Sequence, residues 1–145
     1  MKVFKILFLV ISIISANKGM SQIIASHQWE NRVLLVLSDG ADTSAFQNQI
    51  KELQAHENGL TDRKLIVYQI KKQNYTKGLA DKAWQTSSKT YKKYKSINAS
   101  LEVVLIGLDG GIKLRQAHLL NCEKLFETID VMPMRKSELK LRSRQ

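Results

Sequence analysis

Apolar residues come in short blocks along this chain, each bounded by polar or turn-forming residues. Residues 33–37, VLLVL, form a run of β-branched and leucine residues of the kind found in strands buried on both faces. The turn-rich DGADTS follows, and Ser44 with Gln47 makes an S-x-x-Q capping box at a helix start. Phe46, Ile50 and Leu53 recur at helical spacing, and Asn58-Gly59 is a stop signal. Residues 64–70, KLIVYQI, predict a second strand, and residues 102–107, EVVLIG, a third. Asp109-Gly110 stands between that strand and IKLR. Aspartate and glycine tolerate the backbone angles of a tight turn, so a hairpin is expected there. Asn121 is placed to cap a last helix, with Glu123 favourably near its positive end. Cys122, Leu125, Phe126, Ile129 and Met132 make its apolar stripe. The only proline, Pro133, should end or kink that helix near Val131 and start a short terminal turn over 133–140.

The resulting order is β-α-β-(α)-β-β-α. It predicts an α/β fold of thioredoxin type, a mixed sheet of about four strands flanked by helices. Two segments lie outside this pattern. At the start, Lys2 and Lys5 precede an apolar run from Ile6 to Ile14 broken only by Ser12, and the polar SANKGMSQ follows. That is the layout of a secretory signal peptide, and the run is shorter than the ~20 residues a membrane span needs. Residues 1–21 are therefore expected to be removed, with a cut after Ser21 or, alternatively, after Ala16. A single thioredoxin-like domain over 22–145 remains, exported to a periplasmic or extracellular space, with no transmembrane segment in the mature chain.

The second segment is 71–96, KKQNYTKGLADKAWQTSSKTYKKYKS. Leu79, Ala80, Ala83 and Trp84 would share one helical face, as would Tyr91 and Tyr94. Charge gives this connector its interest. The whole chain carries +10, and loss of the signal's three lysines leaves +7. The connector alone holds eight lysines against Asp81, so the rest of the mature chain is close to neutral. Lys71, Lys72, Lys89, Lys92, Lys93 and Lys95 form a candidate polyanion patch, interleaved with Tyr75, Trp84, Tyr91 and Tyr94. Export argues against nucleic acid as the natural partner and for a polyanionic envelope or matrix component. The competing reading is a solvated connector whose lysines only keep the protein soluble.

Three stretches carry a resemblance to a known family: HQWENRVLLVLS at 27–38, VVLIGLDGGIKLR at 103–115 and IDVMPMRKSEL at 129–139. They resemble the domain-of-unknown-function family 4174, also called peroxiredoxin-like, over about residues 27–140. The residues that match its motifs are Trp29, Asn31, Arg32, Asp109, Gly110, Lys113, Arg115, Asp130, Pro133 and Arg135. Leu37 and Leu108 depart from the phenylalanine and lysine the family tends to have. The resemblance implies a thioredoxin-like fold in exported bacterial proteins and kinship with domains of animal sushi-repeat-containing matrix proteins. It brings no catalytic activity and no cofactor.

The candidate chemistry is sparse. A peroxiredoxin needs a thiolate at the N-terminus of the helix after the first strand, where the helix dipole lowers its pKa. Here Asp42, Thr43 and Ser44 stand in that place, and a hydroxyl without a paired base is no substitute. Cys122 is the only cysteine, so neither a CxxC motif nor an internal disulfide exists within one chain. Its place on an apolar stripe favours packing over redox work. His27, His56 and His118 lack HxxxH or HxH spacing, and no metal is expected. The GG-x-K-L-R stretch does not enter a helix as a phosphate loop would. Lys113 and Arg115 share one face of their strand, as a cationic patch or a solvated face. Arg135 is expected to pair with Asp130 or Asp109 and tie the last helix to the hairpin. The leading expectation is an exported, non-catalytic module that binds an acidic partner through the basic connector. The alternatives are a thiol oxidoreductase using Cys122 and a structural component of an envelope assembly.

Overall fold

The computed structural model describes residues 19–40 and 43–145. The basic start and apolar run of the expected signal peptide lie outside the described residues, as does Asp42. The described chain runs α1 (Met20–Ser26), β1 (Arg32–Ser38), α2 (Ser44–Gln54), α3 (Glu57–Asp62), β2 (Leu65–Ile70), β3 (Asn74–Lys77), β4 (Gln85–Thr86), α4 (Lys89–Tyr94), β5 (Leu101–Ile106), β6 (Ile112–Gln116), α5 (Cys122–Asp130) and α6 (Pro133–Arg142).

The sheet has six strands in the order β4-β3-β2-β1-β5-β6, not about four. The two further strands come from the lysine-rich connector, which folds back beside β2 as antiparallel β3 and β4. The parallel pair expected from the β-α-β start is present, with Arg32 opposite Leu65 and Leu37 opposite Ile70. β5 adds antiparallel on the other side of β1, so β1 is central, and all seven of its residues are buried. The β5–β6 hairpin turns at Asp109-Gly110. Gly110 has φ +80°, a conformation that costs glycine little and other residues more.

Alternation along the strands divides the core between the two sheet faces. Leu34, Val36, Val67, Val103 and Leu105 pack with Phe46, Ile50 and Leu53 of α2, Leu60 of α3, and Cys122, Leu125 and Ile129 of α5. Val33, Leu35, Leu37, Tyr68, Ile70, Val104 and Ile106 pack with Met20 and Ile24 of α1, with Tyr91 and Tyr94 of α4 against them. Met20 is only 1% exposed, and the expected cut after Ser21 falls inside α1.

Several local expectations need correction. The N-cap of α2 is Thr43, one residue before the expected Ser44, and its hydroxyl accepts from the Phe46 amide. Asn58-Gly59 does not stop a helix but lies inside α3, after α2 has ended. Gly59 is there for close approach: a Cβ would stand 2.6 Å from the Phe126 ring. Leu79, Ala80, Ala83 and Trp84 are not helical. Tyr91 and Tyr94 do share a helix, α4. At the C-terminus, Asn121 caps α5 by accepting from the Lys124 amide, and α5 ends at Val131. Pro133 then opens α6, where its missing N–H is no loss.

Candidate functional site

Three separated stretches of sequence converge on one cavity of about 290 Å³. Arg32 comes from the start of β1, Gly107, Leu108, Asp109 and Lys113 from the β5–β6 hairpin, and Met132, Pro133 and Met134 from the start of α6. Each of the three motif stretches thus contributes to the lining. The walls are mainly apolar, and the charged groups are Arg32, Asp109 and Lys113.

Arg32 is fully buried. One end of its guanidinium is held: Nη1 donates to the Arg63 carbonyl at 2.8 Å, and Nη1 and Nη2 reach the Glu138 carboxylate at 3.4 Å. Its Nε is buried and, among the described residues, has no hydrogen-bond partner. Such a donor forgoes about 1–3 kcal/mol, more when it is charged. Also in the lining, Lys113 Nζ lies 2.6 Å from Asp109, and this hydrogen bond, joined by the Gly111 amide, holds the Asp109 carboxyl below its usual range. The N-terminus of α6 has Met132 as its N-cap, without a side-chain cap. Pro133 has no N–H, so the amides that follow it present the positive end of a ten-residue helix beside the cavity.

Trp29 does not line the cavity but borders it. Its amide donates to the Leu108 carbonyl at 2.7 Å, its φ is +69°, and it is 63% exposed. A left-handed bulky residue is uncommon, and strain of this kind gathers at functional positions. Gln28 supports the same junction by donating to the Asp109 carbonyl at 2.9 Å. Asn31 makes a long contact to His27, at 3.4 Å, inside the turn that leads into β1.

Behind the cavity lies a lattice of ion pairs. Arg135 is 2% exposed and reaches Asp62, Asp130 at 3.2 Å and Glu138 at 3.3 Å, and it donates to the Asp62 carbonyl at 2.9 Å. Of the two expected partners it takes Asp130; Asp109 is occupied by Lys113. Arg63 pairs with Asp130 at 2.6 Å and stacks over Phe126 at 4.1 Å, and Arg142 also reaches Asp62. Through Glu138 this lattice holds Arg32 as well. Hydrogen bonds from Arg142, and against the effect of burial from Arg135, keep Asp62 below its ordinary range. Burial works against ionisation of Asp130 too, yet Arg63 and Arg135 keep it low.

Arg115, the remaining motif residue, lies elsewhere. It pairs with Glu102, which is fully buried, and donates to the Tyr94 carbonyl at 2.7 Å. Lys95 also turns inward to Glu102, at 3.4 Å, with only a tenth of its side chain exposed. The six candidate polyanion lysines therefore do not make one patch. Lys95 neutralises a buried carboxylate. Lys71 stacks 4.3 Å over Trp84 and reaches Phe46 on the α2 face. Lys89, Lys92 and Lys93 are exposed on α4, across the sheet, and Lys72 is exposed after β2.

Cys122 is fully buried, and burial together with Glu52 pushes its thiol up to about 12, the opposite of what a peroxidatic cysteine needs. Sequence spacing missed one grouping here. His56 and Glu52, four residues apart, meet Cys122 with their ligating atoms within 4.8 Å. A search for HxxxH or HxH cannot find a set made of E-x-x-x-H and a cysteine 66 residues away. No described helix is long and apolar enough to cross a membrane.

Comparison with known proteins gives a family and a fold. The family model described as domain of unknown function (DUF4174) matches residues 23–138. No curated protein sequence matches the chain. Among solved structures, the reduced 2-Cys peroxiredoxin of Plasmodium vivax is similar with a TM-score of 0.54 and 16% identity, over 78% of this chain and 83% of that one.

Proposed function

Since the chain belongs to the family of the domain of unknown function DUF4174 and has a peroxiredoxin-like, thioredoxin-type fold, we propose that it is a non-catalytic binding module that holds a small organic anion in the cavity between β1, the hairpin and α6. The observation that carries this reading is a cavity lined by all three motif stretches and by the buried cation Arg32, whose Nε has no hydrogen-bond partner among the described residues. The uncapped start of α6 adds positive potential, Lys113 is balanced by Asp109 until an incoming anion competes for it, and Leu108, Met132, Pro133 and Met134 offer an apolar wall. Cation and apolar wall together suit a carboxylate on a short hydrocarbon body, and the volume is at the small end of ligand pockets. The missing thiol after β1 and the raised pKa of Cys122 weigh against a peroxidase reading.

Titrating isotope-labelled protein with butyrate and with inorganic phosphate tests this reading by amide chemical shifts. Shifts centred on Leu108, Lys113 and Met134 with butyrate, lost in Lys113→Met, are expected. Lys113 and its partner Asp109 are both partly exposed, so this variant keeps the fold. Butyrate shifts scattered over the surface, or unchanged in Lys113→Met, contradict the proposal.

Export belongs to the same proposal, with the cut after Ala16. That cut keeps Met20 and the whole of α1 on the second sheet face, whereas a cut after Ser21 removes a buried core residue. Intact-mass measurement of the mature protein from its native host decides between the two cuts, and an uncleaved intracellular chain contradicts export. A second reading keeps a polyanion site on α4 alone, because Lys89, Lys92 and Lys93 stand exposed together on two helical turns. It is distinguished by heparin retention that falls in Lys89→Glu, Lys92→Glu, Lys93→Glu protein.

A further inference from the structure

We propose that Glu52, His56 and Cys122 form a binding site for a divalent transition-metal ion of the zinc type. Glu52 lies near the end of α2, His56 caps the start of α3, and Cys122 is the first residue of α5. The α2–α3 corner and the start of α5 thus bring a carboxylate, an imidazole and a thiol to one point. Their ligating atoms lie within 4.8 Å of one another. Around a tetrahedral zinc ion such atoms stand about 3.3–3.7 Å apart, so the three need to close by roughly an ångström. His56 can supply that movement, since nearly half of its side chain is exposed.

The junction that carries the ligands is fixed from both sides. Gln49 clamps Leu120 twice, donating to its carbonyl at 3.0 Å and accepting from its amide at 2.7 Å. Two residues later the Cys122 amide donates to Glu52 Oε1 at 2.8 Å, and Oε2 has no hydrogen bond among the described residues. The Cys122 thiol and His56 Nδ1 each donate to the Glu52 carbonyl oxygen, at 3.7 and 2.8 Å, which brings them together, and an ion bound through these atoms replaces those two hydrogen bonds. The His56 ring is seated edge-on against Phe126, with centroids 6.3 Å apart.

The donor set selects the class of ion. A thiolate, an imidazole and one carboxylate suit zinc or cobalt, whereas calcium and magnesium require oxygen ligands. Binding replaces the thiol's S–H bond with a sulfur–metal bond, and the proton leaves to solvent. Three protein ligands leave a fourth position for water or another ligand. Arg32 and Lys113 are not part of this grouping, so the site stands independently of the anion cavity.

The test uses tag-free full-length protein and the metals alone. Cobalt(II) titration is expected to give a thiolate-to-cobalt charge-transfer band that saturates at one ion per chain and is abolished by one equivalent of zinc. Cys122→Ser should lose the band. His56→Ala changes an exposed side chain and should keep the fold while weakening zinc binding by about tenfold or more. Absence of the band in wild-type protein, or a His56→Ala protein that binds zinc as tightly as wild type, overturns the proposal. If Cys122→Ser does not fold, the His56→Ala comparison decides alone.

Discussion

Arg135 serves three carboxylates and a carbonyl from one buried guanidinium. Its planar fork of donors allows this, and a lysine would not reproduce it. Removing one partner of a buried ion pair costs about 3–5 kcal/mol. The carboxylates here are partly exposed, so Arg135→Met is expected to cost about 3 kcal/mol, with Arg135→Lys a partial rescue. Urea unfolding reads this as a lower midpoint at unchanged slope. Trp29 is the opposite case: its left-handed backbone stores strain and its side chain adds little burial. Trp29→Gly should leave the melting temperature unchanged or raise it, relieving about 1 kcal/mol. A clear fall in melting temperature would show that the indole packs for stability. The pairing of Arg135 with Asp130 was legible because both lie in one short stretch. Asp62 was not, because it arrives from α3, and no local spacing reveals a partner 73 residues away.

The connector divides into parts that the sequence shows as one run of lysines. Lys95 neutralises the fully buried Glu102, while Lys89, Lys92 and Lys93 are exposed on α4. Lys95→Glu sets a second carboxylate against Glu102 and is expected to cost about 3 kcal/mol. The Lys89→Glu, Lys92→Glu and Lys93→Glu changes should stay within about 0.5 kcal/mol each. Thermal unfolding of the four single variants checks the contrast, and equal effects would contradict this division. The long apolar strands and the Asp-Gly hairpin were legible from burial patterning and turn chemistry. β3 and β4 were not, since four and two residues are too few to display alternation. The cavity was legible only in pieces: the motifs supplied its residues, but their convergence depends on α6 folding back beside the hairpin.

For the whole molecule, acid stability follows from Asp62, Asp130 and Glu102. Asp62 is held low first by Arg142. For Asp130 and Glu102 burial opposes ionisation but is outweighed, in Glu102 by the Ile97 and Ser96 amides and Arg115. Carboxyls depressed by folding stabilise the native state fully above their unfolded values, ordinarily 3.8 for aspartate and 4.5 for glutamate. That stability is lost as pH falls through the lower folded values. The unfolding midpoint is therefore expected to hold steady from pH 7 to about 5 and to fall below about 4, as chemical unfolding across that range can measure. The central position of β1 bears on the order of events during synthesis. Its parallel neighbour β2 is made early, but its other neighbour, β5, begins at Leu101. Until that point in the chain emerges, seven residues buried in the finished fold form an unpaired edge, a template for association with other chains. Fragments ending before Leu101 should aggregate where the full chain remains soluble. The nascent protein thus depends on its last third, or on a chaperone, to shield its own centre.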